Sequence, residues 1–95
     1  MDPLTYSVSA AASASIQPVS ILTKFLNWMK GKKKVVMTFN EYFRKMQREF
    51  KTGPLSQELK EKFLGSINQK QMSDGRIITV DYTKNRIFVG KLDDF

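Results

Sequence analysis

The stretch TFNEYFRKMQREFKTGPLSQELKEKFLGSI, residues 38–67, decides how this chain folds. Thr38 followed three residues later by Glu41 is a capping-box pattern, in which each side chain satisfies a backbone N–H that a helix start leaves unpaired. Phe39, Tyr42, Phe43, Met46 and Phe50 then recur at helical spacing and predict an amphipathic helix over 38–51. Thr52-Gly53-Pro54 ends it, because Gly accepts the left-handed cap conformation and Pro cannot continue the hydrogen-bond ladder. Leu55, Leu59, Phe63 and Ile67 repeat every four residues with Leu64 alongside, predicting another helix over 55–69 that decays into Asn68-Gln69-Lys70-Gln71. Two helices separated by a short break containing Gly have helix-turn-helix spacing.

Outward from this pair, Pro18 suits the first turn of a helix, and Leu22, Phe25, Leu26 and Met29 give residues 18–30 one apolar stripe that Gly31 ends. Val35-Val36-Met37 is a minimal strand. After the Ser73-Asp74-Gly75 turn signal the period becomes extended, with β-branched and aromatic residues over 76–82 and 86–92. Thr83-Lys84-Asn85 between them, with Asn85 able to take φ > 0, reads as a β-hairpin connection. Residues 1–17 are Ser- and Ala-rich and small-sided, and we read them as a flexible arm before a single domain over 18–95. The fold class is α+β: three helices with a C-terminal β-hairpin.

Helix, short strand, helix, Gly-containing turn, helix, strand, strand over residues 18–92 resembles the winged helix-turn-helix superfamily in element order and spacing. In that superfamily the helix after the turn usually enters the major groove, and the hairpin, or wing, touches an adjacent groove or the backbone. The resemblance implies contacts from Ser56, Gln57, Lys60, Glu61 and Asn68, with Lys84 and Arg86 at the wing. The helical wheel qualifies this, placing Gln57, Glu58, Glu61 and Asn68 toward solvent, so that two carboxylates would face DNA phosphates. This helix is therefore expected to read bases weakly. Leu64, toward the polar side, marks a possible contact with another subunit.

With 95 residues, 41% hydrophobic, the chain has the size and apolar content for one small core. It has no Cys and no His, which excludes disulfides, thiolate zinc sites, a cysteine nucleophile and a histidine base or ligand. No paired acids on a pocket-like scaffold replace them, so the expectation is a non-enzymatic protein without a cofactor or metal. No apolar run reaches the roughly 20 residues that cross a bilayer. Met1-Asp2-Pro3 opens without positive charge, and no Arg precedes Arg44, which argues against secretory and mitochondrial targeting. An intracellular protein, of cytoplasm or nucleus, is the expectation.

The net charge of +7 favours polyanionic partners. Residues 24–51 hold nine bases and two acids, so the whole excess lies in them. Arg44, Arg48 and Lys51 form a ridge opposite the apolar face of the 38–51 helix, and Lys32, Lys33 and Lys34 precede it. These six residues, assisted by Lys84 and Arg86, are the candidate contacts to nucleic-acid phosphates, DNA or RNA, in a small basic protein of limited sequence preference. Each phosphate neutralised would add about one unit to the salt dependence of binding. Three other partners fit the same charge. One is an acidic protein, and another is a second copy of the chain, pairing the acidic face of the third helix with the basic second helix. The third is an anionic membrane surface, met by the aromatic and lysine residues of 19–34. Size, charge and the Ser/Ala arm also suit an accessory protein of a virus or mobile element.

Overall fold

Pro18 lacks a backbone N–H to leave unpaired and has its φ set for a helix, so it opens helix α1, Pro18–Met29. The computed structural model describes residues 16–94. The expected arm therefore lies almost wholly outside the described residues. Ile16, at its end, is buried, and the Lys62 ammonium donates to the Ile16 carbonyl at 3.1 Å. Ile21, Phe25 and Met29, one helical turn apart, are fully buried, with Leu22 and Leu26 half-buried beside them. The apolar stripe is thus centred one position earlier than its Leu22 reading.

Strand β1, Val35–Thr38, runs without a connection into α2, Phe39–Phe50, through the predicted capping box. The Thr38 hydroxyl accepts from the Glu41 N–H at 3.2 Å, and the Glu41 carboxylate accepts from the Thr38 N–H at 3.4 Å. The stop of α2 differs from expectation. Lys51, with φ 53°, takes the left-handed cap position, and the Thr52 N–H reaches back to the Gln47 carbonyl at 3.0 Å. Helix α3, Gln57–Ile67, starts two residues later than its apolar pattern suggests, because Ser56 caps it by accepting from the Leu59 N–H at 3.2 Å.

Strands β2, Ile77–Asp81, and β3, Arg86–Gly90, pair as the C-terminal hairpin, and β1 joins on the other side of β3 in an antiparallel sheet ordered β1-β3-β2. The register sets two apolar rows facing the helices, Met37–Ile87–Val80 and Val35–Val89–Ile78. Segment 68–72 covers the outer edge of β2. The Gln69 N–H donates to the Ile78 carbonyl at 2.7 Å, the Ile78 N–H to the Lys70 carbonyl at 2.9 Å, and the Val80 N–H to the Asn68 side chain at 3.2 Å. Asn68 is thereby engaged in holding the sheet. The strands are shorter than their composition suggested, and the hairpin loop holds four residues, since Asp81 pairs with Arg86. Asn85 takes φ 52°, as its position required. Three helices followed by an antiparallel sheet with a C-terminal hairpin are consistent with a winged-helix-like topology.

The helices meet at Tyr42, which is fully buried. Its ring meets Phe25 edge-on at 5.4 Å and Phe63 at 6.4 Å, and its hydroxyl donates to the Phe63 carbonyl at 2.9 Å. Leu64 is buried at 5% exposure, which removes it as an exposed subunit contact. Phe25 and Met29, which a membrane-lying α1 would need outside, are in the core. Among the described residues no helix is long and apolar enough to cross a membrane, and no group of acidic residues is placed to hold a metal ion.

Burial pushes the Tyr42 hydroxyl well above its ordinary pKa, partly offset by a hydrogen bond to the Ser66 side chain. Tyr42→Phe is expected to cost about 1 kcal/mol at pH 7, because the Phe63 carbonyl keeps the Ser66 hydroxyl as a donor at 2.8 Å. Above pH ~10 the unfolded chain ionises this tyrosine while the folded chain resists, so wild type loses stability that the variant has no means to lose. Urea midpoints measured from pH 7 to 11 should show the gap between the two proteins narrowing; a constant gap would contradict this account of Tyr42.

Candidate nucleic-acid interface

The β1–α2 junction fixes the wing. Thr38 is at once the last residue of β1, opposite Arg86, and the N-cap of α2. The next N–H, of Phe39, donates to the Asn85 carbonyl at 3.0 Å, and the Tyr82 ring packs edge-on against Phe39 at 5.9 Å. Inside the wing, one Asp81 carboxylate oxygen accepts from the Thr83 N–H at 2.9 Å, the Thr83 hydroxyl at 2.6 Å and the Lys84 N–H at 3.1 Å. The loop is thus organised by its own side chain, in the manner of an Asx turn.

Between this wing, the first turn of α2 and the N-terminal half of α3 lies an open groove of ≈ 670 Å³. Lys60 of α3 and Lys84 and Arg86 of the wing line it, together with Gln57, Asn40 and the carboxylate of Glu61. Glu58, expected to add a second acid to the reading face, does not line it. The Lys60 ammonium lies over the Phe43 ring at 5.6 Å, which holds an otherwise mobile side chain near the groove floor. Arg44 lines an adjoining cleft that shares Asn40, Phe43 and Lys60 with the groove. Arg44, Lys60, Lys84 and Arg86 therefore surround one surface.

The other candidate cations lie elsewhere. Lys32, Lys33 and Lys34 enter β1 at its Val35 end, opposite Val89, whereas the wing lies at its Thr38 end, opposite Arg86. They line a separate cleft with Arg76 and Lys91. Arg48 lines a small hollow between α1 and α2 with Lys24, Lys45 and Trp28. The Trp28 ring is flanked there by the Lys45 ammonium at 4.3 Å and the Lys32 ammonium at 4.9 Å. Lys51 is exposed at the C-terminal cap of α2, away from the junction that carries the wing. The eight sequence candidates therefore divide among several surfaces: Lys84 and Arg86 line the groove with Arg44 in the cleft beside it, Lys32, Lys33 and Lys34 share the cleft at the other end of the sheet, and Arg48 and Lys51 lie apart from both.

Lys60, Gln57 and Glu61 line the groove as the resemblance implied, although the charge pattern had not selected Lys60, and Tyr82 joins them from outside the candidate cations. The signal for Lys60 was present: it lies one helical turn before Leu64, so the placement of Leu64 decides on which side Lys60 falls. Leu64 in the core brings Lys60 to the flank facing the wing. Tyr82 carried no such signal, because its role depends on where the hairpin lands against α2. No family model, curated protein or solved structure matches this chain.

The Thr83 hydroxyl, then the Lys84 N–H, hold the Asp81 carboxyl below the usual carboxylate range. A carboxyl depressed in the folded state contributes stability above its unfolded pKa of about 3.9, and that contribution is lost as pH falls through the folded value. The wing is therefore expected to loosen only in strong acid. Following the Thr83 and Lys84 amide resonances by NMR from pH 6 to pH 2.5 should give a midpoint below the ordinary Asp value. A midpoint at or above about 3.9 would show that these hydrogen bonds do not govern the loop.

Proposed function

We propose that this protein is a non-enzymatic, winged-helix-type module that binds nucleic acid through backbone phosphates, seating the polyanion in the groove between α3 and the wing. The observation that carries the reading is the convergence of Lys60, Lys84 and Arg86 on one groove, with Arg44 on its border. Three kinds of backbone geometry bring these cations together: a helix, a hairpin, and the capped junction that locks one to the other. A duplex backbone is a line of negative charge, and cations distributed along a groove meet successive phosphates. Glu61 in the groove lowers that attraction at one point and disfavours close approach of phosphate to the middle of α3. Positioning contacts therefore outweigh base reading in this arrangement. Tyr82, 55% exposed at the wing, offers an aromatic face beside the cations.

With about four phosphate contacts, affinity for duplex DNA should fall roughly 100-fold between 50 and 200 mM salt, following a slope of about −0.9 per contact. Fluorescence anisotropy with a labelled duplex measures this. Lys60→Ala, Lys84→Ala and Arg86→Ala should each reduce the slope by about one and weaken binding alike for unrelated sequences. Lys51→Ala should leave the slope unchanged. Affinity that ignores salt, or no binding at 50 mM salt, would overturn the reading. Equal retention of an acidic polypeptide with the same variant pattern would reassign the groove to an acidic protein partner.

A further inference from the structure

Phosphate contacts use the cations of the α3–wing groove and make no use of its rings or its carboxylate. Tyr82, Phe39 and Phe43 line the groove together with Asn40, Gln57 and Glu61. Tyr82 directly follows β2, whose last residue, Asp81, pairs with Arg86, so its backbone is set by the sheet register on one side and by the Asp81 turn on the other. Its ring meets Phe39 in a T-shaped contact at 5.9 Å, and Phe39 in turn lies 6.2 Å from Phe43. This row of rings holds Tyr82 in place, yet Tyr82 is 55% exposed where Phe43 is buried. A large ring held on one side and open on the rest is a prepared contact surface, because little side-chain freedom remains to be lost when a ligand meets it.

A phosphate backbone gains nothing from an aromatic face and is repelled by Glu61. A nucleotide base answers both features: its flat π-system stacks on a ring, and its ring N–H and amino groups donate to a carboxylate or an amide oxygen. Within a duplex those faces are closed by stacking between base pairs, whereas unpaired nucleotides leave them open. We infer that Tyr82 is a stacking platform for an unpaired base, so that the groove favours single-stranded over duplex nucleic acid; this rests on the reading of the groove as a nucleic-acid site and narrows the class of strand it takes. Phosphates beside the stacked base fall to Lys84 and Arg86, which follow Tyr82 on the same hairpin, and the base edge faces Gln57 and Glu61 on the α3 wall. Stacking accepts any base, since each has a π-face, which agrees with a groove of limited sequence preference. DNA and RNA strands share this chemistry: an unpaired base on a polyanionic backbone.

Fluorescence anisotropy with the full chain tests this on three labelled probes: an oligothymidylate of about 12 nucleotides, an abasic strand with the same phosphates, and a duplex of equal length. The oligothymidylate is expected to bind roughly fivefold or more tighter than the abasic strand, the effect of one stacked base, and tighter than the duplex. In NMR spectra it should move the Tyr82 ring protons upfield and saturably, through the ring current of the base, while the abasic strand leaves them in place. Tyr82→Ala should remove most of the preference for the base-bearing strand and leave the affinity for the abasic strand and its salt slope unchanged. Tyr82→Phe, which keeps the ring, should retain the preference. Because Tyr82 also packs on Phe39, the wild-type comparison of the two strands serves as the arm that needs no variant. An oligouridylate separates the sources: ring shifts with one strand alone assign DNA or RNA, and shifts with both assign any unpaired base. Equal affinity for base-bearing and abasic strands, a duplex bound as tightly as the oligothymidylate, or a Tyr82→Ala loss equal for both strands would overturn the stacking while the phosphate reading stands. Failure to bind any of the probes would overturn both.

Discussion

The Tyr42 side chain is the point on which the three helices depend. Its ring contacts α1 through Phe25 and α3 through Phe63, and its hydroxyl reaches the α3 backbone at 2.9 Å. A phenol can do this because it combines a large apolar body with one donor, and burial is tolerable only while that donor is satisfied. A phenylalanine would fill the space and lose the anchor to the α3 backbone. A smaller polar residue would keep a donor and leave a cavity between α1 and α3. The relative placement of α2 and α3, and hence one wall of the groove, follows from this residue.

The other wall follows from the β1–α2 junction. Because β1 passes directly into α2, residue 38 must end a strand and cap a helix together, which a threonine does well: its β-branched body suits the strand and its hydroxyl suits the cap. The first free N–H after it, on Phe39, is used by Asn85 in the wing. One backbone hydrogen bond therefore ties the tip of the hairpin to the helix start, while the sheet register holds its base. The cations on the wing are positioned by backbone geometry at both ends, which compensates for the freedom of Lys and Arg side chains.

Local chemistry made the helices legible in the sequence. The capping box at Thr38 and Glu41, the four-residue repeat through Leu59, Phe63 and Ile67, and the positive φ of Asn85 each arise from interactions within a few residues. What was not legible depends on distant packing. Lys51 takes the left-handed cap although Gly53 lies two residues on, because the chain must turn before Leu55 reaches the core, where it is buried. Leu64 sits at the margin of the helical stripe, and only the presence of α2 and the sheet on that side makes it core. The grouping of the charges in space was not legible for the same reason. Lys32, Lys33, Lys34, Arg44, Arg48 and Lys51 lie within twenty residues of sequence, yet β1 and α2 run back to back and carry them to different ends and faces of the domain. Lys84 and Arg86, forty residues away, are the ones that join Arg44.

The net charge of +7 is therefore a poor variable for this protein. The wing cations and the lysine cluster sit at opposite ends of β3, separated by roughly 14 Å along a five-residue strand at about 3.4 Å per residue. That exceeds the Debye length of about 8 Å at physiological ionic strength, so each cluster acts on its surroundings largely without the other. A small anion at one end does little to the charge at the opposite end. Any coupling between them must pass through the sheet itself, by strain along β3, whose Ile87 and Val89 are fully buried and held on both sides by neighbouring strands. A stiff, doubly paired strand transmits little displacement. The two clusters are thus separate electrostatic units, one spread along the groove between α3 and the hairpin and the other gathered at the opposite end of the sheet, near Arg76.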